Sequence, residues 1–249
     1  MKTLGLIGFG RFGQLAAQML HGRFAISASD QRDQSAVARS LGVSFVDIHA
    51  AARCDVVVIS VPVQNMLAVI QSIAPVVRPG SLVVDVASVK VFPAAWMTEH
   101  LPESVDVVAT HPLFGPQSAK LGLVGQRLIV CPVRGRAHEA VARLGRRIGL
   151  SVHVTTPEQH DLEMSYVQAL SHLIGRALIN ISAPAESLST RSYEHLLDLC
   201  SLIKDDSFEL FSAIQTMNPY ASGVTRDFLQ EAARLLEEAN QRRDVATEA

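Results

Sequence analysis

Cysteine is scarce in this chain of 249 residues: only Cys54, Cys131 and Cys200 occur, far apart and odd in number, with no C-x-x-C pair. That excludes a disulfide framework and a cysteine-based zinc site, and no metal is expected. Long apolar runs are missing too, since none reaches the roughly 18 residues that a membrane-spanning helix requires. Charge of one sign is not in excess: 22 Lys and Arg stand against 24 Asp and Glu, for a net charge of -2. A nucleic-acid partner or an anionic membrane surface is therefore not expected. The basic cluster Arg143, Arg146 and Arg147 reads as a solvated helix face. Neither an internal repeat nor a low-complexity tract is found. No basic leader precedes the first apolar run, so a cytoplasmic location is expected.

What is present is an ordinary globular composition, 48% hydrophobic and 18% charged. Through the first 150 residues, short apolar runs alternate with helical patterns. The strand candidates are 4–8, 25–29, 55–60, 81–86, 106–110, 127–131 and 151–155; helical stretches lie at 11–20, 34–41, 65–77 and 138–149. Strands apolar along their whole length, alternating with helices, predict a sheet covered on both faces. That is a doubly wound α/β domain. After Thr156-Pro157 no strand candidate survives, and helical segments follow one another to about residue 243. The expected division is 1–155 and 156–249, the second part all-helical. So small a helical domain buries limited surface by itself, which predicts packing on a second copy.

The run GFGRFG, Gly8 to Gly13, directly follows the first strand and opens the first helix. In that context Gly8 permits the tight turn, Gly10 lets backbone approach a pyrophosphate, and Gly13 allows close helix–strand packing. The helix N-terminus adds unbonded N–H groups and partial positive charge. Phe9, Arg11 and Phe12 belong to the same loop. Asp30 stands at the end of the second strand, where a carboxylate suits a ribose 2′-hydroxyl and repels a 2′-phosphate. NAD is the expected cofactor, although Arg32 leaves NADP open. Ser60, Val61 and Pro62 end a neighbouring strand and complete the expected cofactor crevice.

Ser88, Lys90 and His111 fall at or just beyond strand ends, where ligands of open α/β sheets lie. Each has a plain structural alternative: a helix cap, a solvated first-turn lysine, a loop histidine. In the helical part Gln168, His172 and Arg176 are spaced i, i+4, i+8 on an apolar helix. Polar groups in such a line need partners, which predicts either one wall of a polar cleft or an interface.

The segments GLIGFGRFG, ASVK, THPLFGPQS and YVQALSHL, with SYEHLLDL and DSFELF further on, resemble the prephenate/arogenate dehydrogenases of tyrosine biosynthesis. The likeness spans nearly the whole chain. It implies a Rossmann-type N-terminal sheet, a C-terminal helical domain that dimerises, and NAD(P)-linked oxidative decarboxylation of a cyclohexadienol. It also implies roles. His111 is the acceptor for the substrate hydroxyl proton, a task that suits a neutral imidazole near neutral pH. Ser88 orients the histidine or the hydroxyl, Lys90 meets a carboxylate or developing oxyanion, and His172 and Gln168 contribute from the helical side.

One departure matters. Prephenate-using bacterial members often carry an arginine after the tyrosine of the SYEHLL-like segment, where it grips the pyruvyl carboxylate. Here Glu194 holds that position, with Arg191 three residues earlier. A carboxylate suits an ammonium, as on arogenate or an amino-substituted prephenate; otherwise Glu194 faces solvent and Arg191 or Arg176 does the gripping. Two competing readings are a β-hydroxyacid dehydrogenase and a nucleotide sensor without catalysis. The first typically uses a lysine on a helix of the second domain, and 164–180 contains none. The second has no reason to keep Ser88 and His111 in register.

Overall fold

The computed structural model describes residues 1–120, 122–185 and 188–247, with side chains described through residue 242. The chain forms two compact units, Met1–His160 and Asp161–Ala249.

The first unit is built on β1 (Thr3–Ile7), β2 (Ala25–Ser29), β3 (Ser44–Phe45), β4 (Val56–Ile59), β5 (Leu82–Asp85), β6 (Asp106–Pro112), β7 (Arg127–Arg134) and β8 (Ser151–Val154). They form one sheet in the order β3-β2-β1-β4-β5-β6-β7-β8. All neighbours are parallel except β6 and β7. The order reverses at β1, which lies between β2 and β4 and so marks the switch point of the sheet. Between the strands run α1 (Arg11–Leu20), α2 (Ser35–Ser40), α3 (Ile48–Ala52), α4 (Val63–Ile73), α5 (Val91–His100), α6 (Pro116–Ala119) and α7 (His138–Arg147). Central strands are buried on both faces: Leu6, Val57, Ile59, Val83 and Val107 have no exposed surface. In α1 the buried residues are the small ones, Gly13, Ala16 and Ala17, which lets the helix lie close to the sheet. In α4, Val63, Met66, Ile70 and Ile73 are buried at helical spacing, one stripe on an otherwise wetter surface.

Two details differ from expectation. β3 is a two-residue edge strand paired with β2, too short to leave an alternating pattern in the sequence. β6 continues through His111 to Pro112 because its antiparallel partner β7 keeps pairing that far, His111 opposite Ile129 and Pro112 opposite Leu128. His111 therefore sits on a strand rather than in a loop. An apolar cavity of about 430 Å³ runs along one sheet face, lined by Leu4, Phe12, Val58, Val84, Val141 and Leu144 among others. Neither Gly8, Asp30 nor His111 lines it.

The boundary between the units falls inside α8 (Pro157–Met164), and His160 belongs to the first unit, where its ring meets His111. The second unit continues with a π-helical stretch, Ser165–Leu170, then α9 (Ser171–Asn180), α10 (Arg191–Ile203), α11 (Phe208–Thr216) and α12 (Ala221–Thr247). Thr190 caps α10 by accepting from Tyr193 N, and Ser207 caps α11 by accepting from Leu210 N. Ala169, Ile214 and Ala221 are buried together, with Leu210 packed against them. No helix of the described residues is long and apolar enough to cross a membrane.

Candidate active site

Strand β1 ends at the glycine loop, whose shape is fixed by steric need. Gly8 adopts φ +94°, and a Cβ there would stand 2.3 Å from the carbonyl oxygen of Ser60. At Gly13 a Cβ would stand 2.3 Å from the carbonyl oxygen of Gly8, so α1 can follow the strand this closely only without a side chain. Gly10 is different. A Cβ there would meet nothing within 4 Å, so the space beside this backbone is open. Gly10 is also the N-cap of α1, with no side-chain cap and no acidic residue in the first turn. Open space beside a helix N-terminus that no side-chain cap covers fits a dinucleotide pyrophosphate.

Asp30 ties the end of β2 to that loop. One carboxylate oxygen accepts from Phe9 N at 2.7 Å, and the other accepts from Arg32 N at 2.9 Å. Spare lone pairs remain on such a carboxylate for a ribose hydroxyl. The ring of Phe9 is fully buried in the core, so only its backbone belongs to the loop surface. Phe12 is half-buried against the same core, its ring 6.4 Å from that of Phe114. Arg11 is exposed, Ser60 and Val61 are half-buried, and Pro62 caps α4.

The strand ends beyond β5 and β6 hold the second group. Lys90 does not present its ammonium to solvent: the residue is fully buried, with Nζ donating to the Asp85 carboxylate and, at 2.6 Å, to the carbonyl oxygen of Thr110. Asp85 also accepts from Ala87 N at 2.9 Å and Thr110 N at 3.3 Å. Burial pushes the Asp85 carboxyl up, against the opposing pull of the Lys90 charge and these amides. The expectation that Lys90 meets a substrate carboxylate is thus corrected: its charge is already matched inside the protein, and it pins the end of β6 to that of β5. Thr110 adds a bond from its own hydroxyl to Asp85 O at 2.5 Å. The next residue, His111, is 4% exposed. Its Nδ1 lies 2.9 Å from His160 Nε2, and the rings meet edge to face with centroids 5.1 Å apart. Ser88 is half-buried, in a bend past β5 and two residues before Lys90, which is the N-cap of α5.

In the helical unit Gln168 lies in the π-helical stretch, while His172 and Arg176 lie on α9. The last two converge on one residue of the α10–α11 connection. His172 Nε2 is 4.0 Å from the Asp206 carboxylate, and Arg176 Nη2 donates to Asp206 O at 2.8 Å. Arg176 also stacks over Phe211, 5.7 Å from the ring centre. Burial pushes the His172 imidazole down; Asp206 works in the opposite direction, and Arg176 adds to the depression. Gln168 Oε1 and Arg176 Nε are buried with no hydrogen-bond partner among the described residues. Such orphans are costly unless a ligand or water meets them, and π-helical turns often occur where ligands do. Arg191 and Glu194 are exposed in the first turn of α10, where Glu194 complements the helix dipole without any ligand.

His160 and Asp206 were not singled out by the sequence reading. His160 is one of nine histidines, 49 residues from its partner, and no periodicity connects strand β6 with helix α8. Asp206 stood inside the quoted DSFELF segment, but its neighbours arrive from a different helix.

A doubly wound sheet with a glycine loop at its switch point, followed by an all-helical unit, defines a two-unit nucleotide-binding protein. Comparison with known proteins makes this specific. Residues 17–150 match the nucleotide-binding domain of prephenate dehydrogenase, and residues 156–246 match the dimerization domain of the same family. The chain belongs to the prephenate dehydrogenase family. Arogenate dehydrogenase 2 of Arabidopsis thaliana, a chloroplastic protein, is 34% identical over 232 residues, 88% of this chain and 64% of that protein. A probable arogenate/prephenate dehydrogenase of Methanocaldococcus jannaschii is 31% identical over 217 residues, 81% of this chain and 48% of its own length. The chain thus spans less than two thirds of these relatives. Among solved structures, prephenate dehydrogenase from A. aeolicus in complex with hydroxyphenyl propionate and NAD+ has the same fold: TM-score 0.78, 20% identity, 98% of this chain and 92% of that one covered.

Proposed function

We propose that this protein oxidises prephenate or arogenate with loss of carbon dioxide, using NAD(P). The observation that carries the reading is His111: a histidine held by its Nδ1 at the end of a pinned strand, on the same sheet edge as an open, glycine-lined helix N-terminus. Relatives at 34% and 31% identity are named for these two substrates.

The nicotinamide ring of a dinucleotide at the loop supplies the acceptor for hydride from C4 of the substrate. Gly10 and the first-turn amides of α1 bind the pyrophosphate, Gly8 and Gly13 give the loop the turn and close packing it needs, Asp30 takes the ribose, and Ser60, Val61 and Pro62 border the crevice. NAD is the preferred form, because a 2′-phosphate would face the Asp30 carboxylate. His111 accepts the C4 hydroxyl proton as the carbonyl develops. The bond from C1 to the carboxylate then breaks and its electron pair completes the aromatic ring. The same imidazole returns the proton to the ring oxygen, so the overall reaction with prephenate neither consumes nor releases a proton. Ser88 orients the hydroxyl or the imidazole. On the helical side Gln168, with its orphaned carbonyl, and His172 contact the substrate, while Arg176 and Arg191 are candidates for its carboxylates.

Glu194 supports a second reading, that the substrate carries an ammonium, as arogenate and amino-substituted prephenates do. We further propose a homodimer formed through the helical unit, working in the cytoplasm. Supporting the dimer are the dimerization-domain match and the large apolar side chains left exposed on α10 and α12, including Leu202 at 64% and Leu236 at 66%. A two-by-two assay of each substrate with each cofactor, read as reduced-nicotinamide absorbance, tests the reading. Absence of turnover in all four combinations would overturn it.

A further inference from the structure

The geometry points to His160 as a positioning residue that fixes the tautomer of His111, an inference resting on the function proposed above. Only two arrangements of one hydrogen are possible between neutral His111 Nδ1 and His160 Nε2 at 2.9 Å. In one, His160 Nε2–H donates to His111 Nδ1; the His111 hydrogen then sits on Nε2, and that nitrogen cannot accept a proton. In the other, His111 Nδ1–H donates to His160 Nε2, and the lone pair of His111 lies on Nε2. Proton acceptance by a neutral His111 requires the second, because Nδ1 is engaged with His160. Which ring nitrogen carries the hydrogen is set by the bond that the other one makes.

The pair also stabilises the charged form. Once Nε2 has taken the hydroxyl proton, the His111 imidazolium still donates through Nδ1 to a neutral imidazole acceptor. This is the work a carboxylate does in a hydrolase triad, done here by a neutral group with a weaker field. The placement is rigid: His160 is 2% exposed, and its amide donates to Thr156 O at 3.0 Å in the first turn of α8. Across the pair, Thr110 is held by Lys90 and Asp85. Both rings are buried, so turning either one away would break the bond between them inside the protein.

The test has two arms. In the first, imidazole nitrogen NMR of the whole chain, with His111 assigned by its loss in His111→Asn, reads the tautomer directly. Wild type is expected to carry the hydrogen on Nδ1. His160→Phe, which keeps ring volume but removes the acceptor, is expected to move it to Nε2, the form that free histidine side chains favour. His160→Gln places an amide oxygen near the position of Nε2 and is expected to restore the wild-type form. In the second arm His160→Phe lowers kcat at least about tenfold with KM changed less than about twofold, and His160→Gln recovers most of the loss. A wild-type Nε2–H tautomer, or one indifferent to His160→Phe, overturns the inference, as does equal loss in the Phe and Gln variants. If His160→Phe fails to fold, His160→Gln against the shorter His160→Asn decides the same question. Should wild type turn over neither substrate, the function falls while the NMR arm still reports on the pair.

Discussion

Lys90 and Asp85 form an ion pair with no exposed surface on either side chain, directly behind the residue that the proposed chemistry depends on. The lysine that looks like a binding cation in the sequence is a strut. Removing one partner strands the other charge in the interior, which is far costlier than the pair itself is stabilising. Lys90→Met is therefore expected to lower unfolding free energy by about 3–5 kcal/mol. Replacing both, as Lys90→Met with Asp85→Leu, should recover part of that. Chemical denaturation of the three proteins measures it; a Lys90→Met variant as stable as wild type would show that the charge reaches solvent.

His111→Asn removes the proposed proton acceptor and keeps a polar side chain of similar reach. Turnover is expected to fall by roughly 10²–10⁴, with the dissociation constant for NAD unchanged within about twofold. Steady-state kinetics and a cofactor-binding titration measure the two quantities. Unchanged turnover would refute the assignment.

Gly10 and Gly13 predict opposite phenotypes from the same substitution. Gly13→Ala drives a Cβ against the backbone oxygen of Gly8, so both melting temperature and dinucleotide affinity drop. Gly10→Ala places its methyl in open space, so the melting temperature holds while affinity falls, because the methyl occupies the ground proposed for the pyrophosphate. Thermal denaturation with and without NAD separates them.

Asp30→Ser removes the charge proposed to repel a 2′-phosphate and leaves Arg32 nearby to attract one. The ratio of kcat/KM for NADP over NAD should rise at least about tenfold, one bidentate or ionic contact being worth that much. NAD should also bind more weakly, since Phe9 N loses its acceptor. An unmoved ratio removes Asp30 as the discriminator.

The depressed pKa of His172 sets a pH dependence of stability. In the unfolded chain its imidazole titrates near 6.5, whereas the folded protein holds it neutral to lower pH because it is buried. Below about pH 6.5 the unfolded chain binds the extra proton first. This contribution to stability is therefore complete above that value and is lost as pH falls toward the folded-state pKa. His172→Gln should flatten the fall in denaturation midpoint between about pH 7 and pH 5. An equally steep fall would assign it to other groups.

The strand-and-helix alternation, the glycine loop and Asp30 were legible because each rests on neighbours in sequence. A glycine between a strand and a helix, or a carboxylate at the next strand's end, is a local requirement, and in the structure the Asp30 carboxylate bonds to that loop. The apolar strand runs likewise predicted burial on both faces. The helical unit was legible as helices, yet its π-helical stretch at Ser165–Leu170 was not, because the pattern of apolar residues there is compatible with an ordinary helix.

Lys90 and His160 show where sequence ends. Whether a lysine five residues after an aspartate meets solvent or folds back onto it depends on what lies above it, here the end of β6. His160 acquires meaning only through a contact 49 residues away. The sequence by itself determined which segments extend, coil, turn and bury, because hydrophobic periodicity and glycine sterics act over a few residues. Tertiary structure alone decided which charges are spent internally and which imidazole nitrogen faces which, because electrostatics and hydrogen bonding depend on distances that only packing sets.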